Sequence, residues 1–129
     1  MIAQVLVSAF FAACFLQSGL DKLFDWKGNL SWLTGHFSKT PLRALVPMML
    51  GAITVLEVVA GATCLAGAGI RLFAGTAAIA GFGLGMAALA LTLLFTGQRI
   101  AKDYVGAATL ATYFGVAILG LWLCSLGTA

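Results

Sequence analysis

The stretch Ala44 to Ala68, ALVPMMLGAITVLEVVAGATCLAGA, decides the fold, because it is long enough to cross a bilayer and holds a single charged residue, Glu57, near its middle. A crossing helix needs about 20 predominantly apolar residues to span a hydrocarbon core of about 30 Å. An ionised carboxylate at that depth costs roughly 3 kcal/mol on insertion scales. Glu57 therefore needs a polar partner, a proton or a functional role.

Working outward, three further apolar segments run from Ile2 to Phe24, Leu72 to Phe95 and Tyr104 to Leu126. The 129 residues are 62% hydrophobic and 9% charged, and the mean hydropathy is +1.08. That is more apolar than a small soluble protein tolerates. The expected fold is all-α, a transmembrane four-helix up-down bundle. It forms one domain over 1–129, with helices at about 2–24, 44–68, 72–95 and 104–126. Gly67, Gly69 and Arg71 punctuate the chain before the third helix, and Gly97, Gln98, Arg99, Lys102 and Asp103 before the fourth. Four crossings consume most of the chain, and no soluble domain fits beside them.

The first segment contains Phe11-Ala12-Ala13-Cys14, which resembles a lipoprotein cleavage site. No Lys or Arg precedes it and the apolar run continues to Phe24, so it reads as a retained helix rather than a signal peptide. The connection 25–43 carries Trp26, Trp32, His36 and Phe37 among polar residues, while Gly28, Asn29, Gly35 and Pro41 oppose one long helix. Trp prefers the headgroup region, so this segment reads as an interfacial loop lying over the helices. Pro47 falls in the first turn of the second helix, where a missing N–H costs little.

The net charge of +3 comes from basic residues at helix ends, a membrane-topology pattern rather than a nucleic-acid surface. Lys22, Lys27, Lys39 and Arg43 flank the first connection and Arg99 and Lys102 the third; only Arg71 lies opposite. The positive-inside rule then places both basic loops in the cytoplasm and both termini on the outer face of the membrane. Cys14, Cys64 and Cys124 lie far apart in apolar segments with no Cys-x-x-Cys pair, which argues against a zinc site and a thiol-disulfide enzyme; they read as small buried hydrophobes. In the third segment, Gly81 and Gly85 form a small-xxx-small spacing suited to close helix packing within the bundle.

Gln17 and Asp21 share one face of the first helix, with Lys22 beside them, and the fourth helix opens with Lys102 and Asp103 and carries Tyr113 at the depth of Glu57. With helices alternating in direction, these seven residues, Gln17, Asp21, Lys22, Glu57, Lys102, Asp103 and Tyr113, describe a polar cleft running from the interface to a midplane carboxyl. They are the candidate ligand or proton site. The simpler reading of the four charges near helix ends is that they close the bundle and fix register.

Gly19-Leu20-Asp21-Lys22, Pro41 leading into Leu56-Glu57 with Gly61, and Lys102-Asp103 with Gly106 together resemble the DoxX-like family of small four-helix bacterial membrane proteins. The resemblance covers essentially the whole chain. The family often has Lys-Asn where this chain has Lys102-Asp103. The resemblance implies an accessory or assembly subunit of a membrane redox complex, with larger membrane subunits or a second copy as partners and a quinone as the one conceivable cofactor. The competing reading is a small transporter or ligand-binding module in which Glu57 takes a proton or a small amphipathic ligand. Enzymatic motifs are missing: there is no Ser-His-Asp set, no metal-spaced His or Cys group and no phosphate loop. The single histidine, His36, lies in the interfacial connection and is poorly placed to ligate a haem.

Overall fold

In the computed structural model, which describes residues 1–126, the chain forms five α-helices and no strand among the described residues. They are α1 (Ile2–Phe24), α2 (Trp26–His36), α3 (Val46–Ala74), α4 (Ala78–Ile100) and α5 (Tyr104–Ser125), with a 3₁₀ turn at Arg43–Leu45 before α3. Four of them, all but α2, are long and apolar enough to cross a membrane.

The segment expected as an interfacial loop contains the short helix α2. One residue makes the corner between α1 and α2. Asp25 donates its backbone N–H to Asp21 O, ending α1, while its carboxylate accepts from Gly28 N at 3.2 Å, starting α2. Gly28 therefore stands at the third helical position, where it receives the cap, and it promotes the helix that its composition seemed to oppose. Trp26, Leu30 and Leu33 pack against the core from above. The helix stops at Phe37, and Thr40 and Pro41 turn the chain toward α3.

Helix α3 is longer than expected. It passes through Gly67, Gly69 and Arg71 and ends at Gly75, whose left-handed φ of 83° lets its N–H return to Ile70 O. At 1.5 Å per residue its 29 residues span about 44 Å, enough to reach both interfaces. Gly67 does not stop the helix because its lack of a side chain serves packing: a methyl there would run into the Ala80 backbone of α4. Consequently α4 starts at Ala78 rather than Leu72 and absorbs Gly97, Gln98 and Arg99 into its last turns.

The core forms around α3. Its buried residues Val46, Leu50, Ile53, Glu57, Ala60, Cys64 and Gly67 recur at alternating spacings of four and three, the repeat of a helix-packing seam. Helix α3 packs against α1 on one side and α4 on the other; α5 packs on α4 and, less extensively, on α1. Close approach comes from glycines other than the Gly81–Gly85 pair. A methyl at Gly61 would stand 2.7 Å from Leu16 N, and one at Gly83 2.7 Å from Cys64 N, whereas Gly85 has nothing within 4 Å. The three cysteines are unpaired, with Cys64 and Cys124 buried.

These contacts set apart glycines that look alike in sequence. Gly67→Ala should cost about 1–3 kcal/mol by overpacking the α3–α4 seam, while Gly85→Ala should be neutral or stabilising by up to about 1 kcal/mol. Unfolding titrations in mixed micelles measure both, and equal effects at the two positions would contradict the packing described.

Candidate functional site

Lys22 and Glu57 form the centre of the polar chemistry. Glu57, 1% exposed, stands about 16 Å along α3 from Val46 at 1.5 Å per residue. Lys22, in the last turn of α1, turns its side chain inward instead of toward the interface. Its Nζ lies 3.1 Å from Glu57 Oε1 and 3.3 Å from Oε2, and donates to Ser18 Oγ at 2.8 Å. Hydrogen-bond alignment favours Oε2, so Oε1 is held by charge proximity without an aligned donor. The carboxylate is thereby neutralised at a depth where it could not stand alone.

On its other side, Lys22 forms part of the wall of a cavity of about 510 Å³ enclosed by α2, the first turns of α3 and the last turns of α4. Glu57 itself does not line this cavity; Lys22 stands between them. The remaining polar groups of the wall belong to Asn29, His36, Gln98, Thr96 and the Trp32 indole. His36 Nε2 is 2.6 Å from Gln98 Oε1, tying α2 to α4, and its ring stacks on Trp32 at 4.6 Å between centroids and 15° between planes. Asn29 Nδ2 donates to Asp25 O at 2.9 Å and to Asp21 Oδ2 at 3.3 Å. The rest of the lining, including Leu50, Ile53 and Leu94, is apolar.

Of the seven residues proposed for the cleft, the structure brings Lys22 and Glu57 into contact. Asp21 is exposed and reaches the cavity only through Asn29. Gln17 is exposed, because the core-facing stripe of α1 runs through Gly19 and Phe15 instead. Lys102 and Asp103 form no ion pair with Asp21 or Lys22 among the described residues. Lys102 is the left-handed residue (φ 61°) of the turn between α4 and α5, and Asp103 caps α5 by accepting from Gly106 N at 3.0 Å. Its other oxygen lies 3.9 Å from His36 Nε2. Tyr113 stacks on Phe10 at 6.2 Å and is 38% exposed. It cannot join Glu57, because α5 packs on α4 and α1 rather than on α3.

Ser18, Asn29, Trp32 and Gln98 were missed as site residues. Ser18 lies four residues before Lys22, a spacing that places both on one helix face; the others depend on α2 being a helix and on α4 running to Ile100. A second polar cluster also went unread. Arg71 Nε donates to Gln4 Oε1, Gln4 Nε2 donates to Leu123 O at 2.8 Å, and Arg71 Nη1 donates to Gly75 O at 3.0 Å, closing the opposite end of the helices. Between the two clusters the core is mainly apolar, with Phe11, Ala60 and Cys64 at 0% exposure and Phe15 at 4%; Ser8, also at 0%, keeps its hydroxyl without a partner there among the described residues.

No protein-family model, curated protein or solved structure matches the chain. The residues themselves carry whatever can be said of its chemistry. Among those described, no three His, Cys, Asp or Glu side chains gather as a metal site.

Removing one member of a buried ion pair strands the other, at about 3–5 kcal/mol. Lys22→Met and Glu57→Gln should each destabilise by that amount, and the double variant by much less than the sum. A double-mutant cycle by unfolding in mixed micelles reads the coupling; additive effects would mean that the two groups do not meet.

Proposed function

We propose that the protein is a multi-pass membrane protein that binds a small amphipathic molecule in the cavity beneath α2. One observation carries this reading: an otherwise apolar pocket of about 510 Å³ has polar groups converging on one wall, which include an ammonium already neutralised by Glu57. Its volume falls in the range of small-molecule sites, about 300–1,000 Å³, and its mixture of apolar lining with few placed polar groups is what such sites use. Burial of Glu57 behind Lys22 supports an electrostatic role for the carboxylate rather than direct contact with a ligand. The largely apolar layer of Phe11, Phe15, Ala60 and Cys64 between Glu57 and the Arg71 end supports binding over passage.

The three-residue connections 75–77 and 101–103 support an up-down-up-down order of the four long helices. The exposed basic residues Lys27, Lys39, Arg43, Arg99 and Lys102, set against Arg71 on the other side, support a cytoplasmic α2 end in an inner membrane, with the amino terminus outside. Lys22 drops out of that count, because its charge is spent on Glu57.

A second reading is a DoxX-like accessory or assembly subunit of a quinol-handling membrane redox complex. It draws on the resemblance of the Gly19 to Lys22 and Lys102-Asp103 motifs, and on α5, whose outer face presents Phe114, Val116, Ile118, Leu119 and Trp122 for a neighbouring subunit or lipid. The binding reading takes precedence because the cavity exists within this chain alone.

Extraction in gentle detergent followed by native mass spectrometry tests the two. The binding reading predicts a bound small molecule on the wild-type chain that is lost from Ile53→Trp, which fills the cavity. A chain carrying no small molecule but purifying at fixed stoichiometry with redox subunits would overturn it in favour of the second.

A further inference from the structure

We infer that the α2 cavity, taken as the binding site proposed above, selects an uncharged lipid-soluble molecule whose head is a hydrogen-bond donor, an alcohol or phenol, and admits it sideways from the bilayer. Lys22 is the only permanently charged side chain in the wall among the described residues. Its three hydrogens are directed to Ser18 Oγ at 2.8 Å, Glu57 Oε2 at 3.3 Å and Ser18 O at 3.5 Å. An anionic head would have to draw Lys22 off Glu57 and strand a carboxylate that is 1% exposed. A cationic head would meet the ammonium directly. The pair is neutral only when the ligand is neutral.

The polarity of the head follows from which wall atoms remain free. Asn29 spends its Nδ2 on Asp25 O and Asp21, so its free atom is the acceptor Oδ1. Because Gln98 presents Oε1 to His36 Nε2, the histidine donates there, and a neutral imidazole then carries an acceptor at Nδ1. Gln98 Nε2 turns toward Gly106 at the start of α5 rather than into the cavity. Beside these acceptors the wall holds the Trp32 indole N–H, so the matching head is a hydroxyl, which donates to the amide or imidazole and can accept from the indole. A head of equal size that only accepts forgoes the hydrogen bond to Asn29 or His36 and should bind less tightly.

The route of entry follows from exposure along the rim. Ala52 of α3 and Leu93, Thr96 and Ile100 of α4 line the cavity and are themselves exposed, all on helices long and apolar enough to span the membrane. The Lys22 and His36 side chains at the polar wall are only 15% and 17% exposed. A tail can therefore remain among acyl chains while the head lies under α2.

Equilibrium binding of four radiolabelled probes to the protein in nanodiscs, with binding to empty nanodiscs subtracted, separates the possibilities. The probes are 1-decanol, decyl methyl ether, decyl sulfate and decyltrimethylammonium. Decanol should bind saturably and about tenfold more tightly than the ether, the size of one hydrogen bond, and more tightly than either charged probe. Asn29→Leu, which keeps the side-chain size and removes the free Oδ1 acceptor, should weaken decanol severalfold and leave the ether unchanged. Glu57→Gln, which uncovers the Lys22 charge, should turn the preference to decyl sulfate. Tightest binding of either charged probe to the wild type would overturn the charge argument, and equal binding of decanol and ether would overturn the donor argument, both leaving the cavity a binding site. Failure of all four to saturate would remove the binding reading itself, and this inference with it.

Discussion

An ammonium and a carboxylate in contact inside an otherwise apolar helix assembly set the terms for everything else in this molecule. Neither charge is tolerable alone at that depth, so Lys22 and Glu57 commit α1 and α3 to one register. The commitment requires the helices to lie close. Gly19 and Gly61 allow it: a methyl at Gly19 would stand 2.8 Å from Val58, and one at Gly61 2.7 Å from Leu16. Ser18 contributes the hydroxyl that completes the ammonium's partners, one helical turn before it. Van der Waals contact and the ion pair therefore reinforce a single arrangement, with the glycines giving the proximity and the charges the register.

The two ends of the helices are built differently. At one end Asp25 and Asp103 use their carboxylates to start α2 and α5, and Lys102 supplies a left-handed turn residue. These charges direct the chain and do not line the cavity, which leaves Lys22 as the charge that borders it. At the other end Arg71, Gln4 and the Leu123 carbonyl are joined by hydrogen bonds that tie α3, α1 and α5 together. The molecule is thus polarised along its helices, with a cavity on one side, a lock on the other and a mainly apolar layer between.

Much of the fold was legible in the sequence, for physical reasons that also explain the failures. Long apolar runs read directly as helices able to span a membrane, and one acid within such a run announced that a partner must exist. Helix ends were harder. Gly67 and Gly69 look like stop signals, but in an apolar segment a glycine is as useful for letting a neighbouring backbone approach, and the true stop is Gly75 with its positive φ. Gly28 and Asn29 looked like loop residues for the same kind of reason, when one takes a cap and the other bonds back to it. Tyr113 was placed by depth alone, and depth does not say which helices are neighbours. His36 and Gln98 could not be paired from sequence, because their meeting depends on both α2 being helical and α4 running further than its apolar composition suggests.

Contact between Lys22 and Glu57 must persist in the membrane-embedded protein if the pair sets the register of α1 and α3. Solid-state NMR in lipid bilayers, with ¹⁵N-labelled lysine and ¹³C-labelled glutamate, measures this directly. A strong dipolar coupling between the Lys22 side-chain nitrogen and the Glu57 carboxyl carbon, lost in Glu57→Gln, is the result expected. A Lys22 nitrogen coupled to lipid phosphate instead, with no coupling to Glu57, would contradict it.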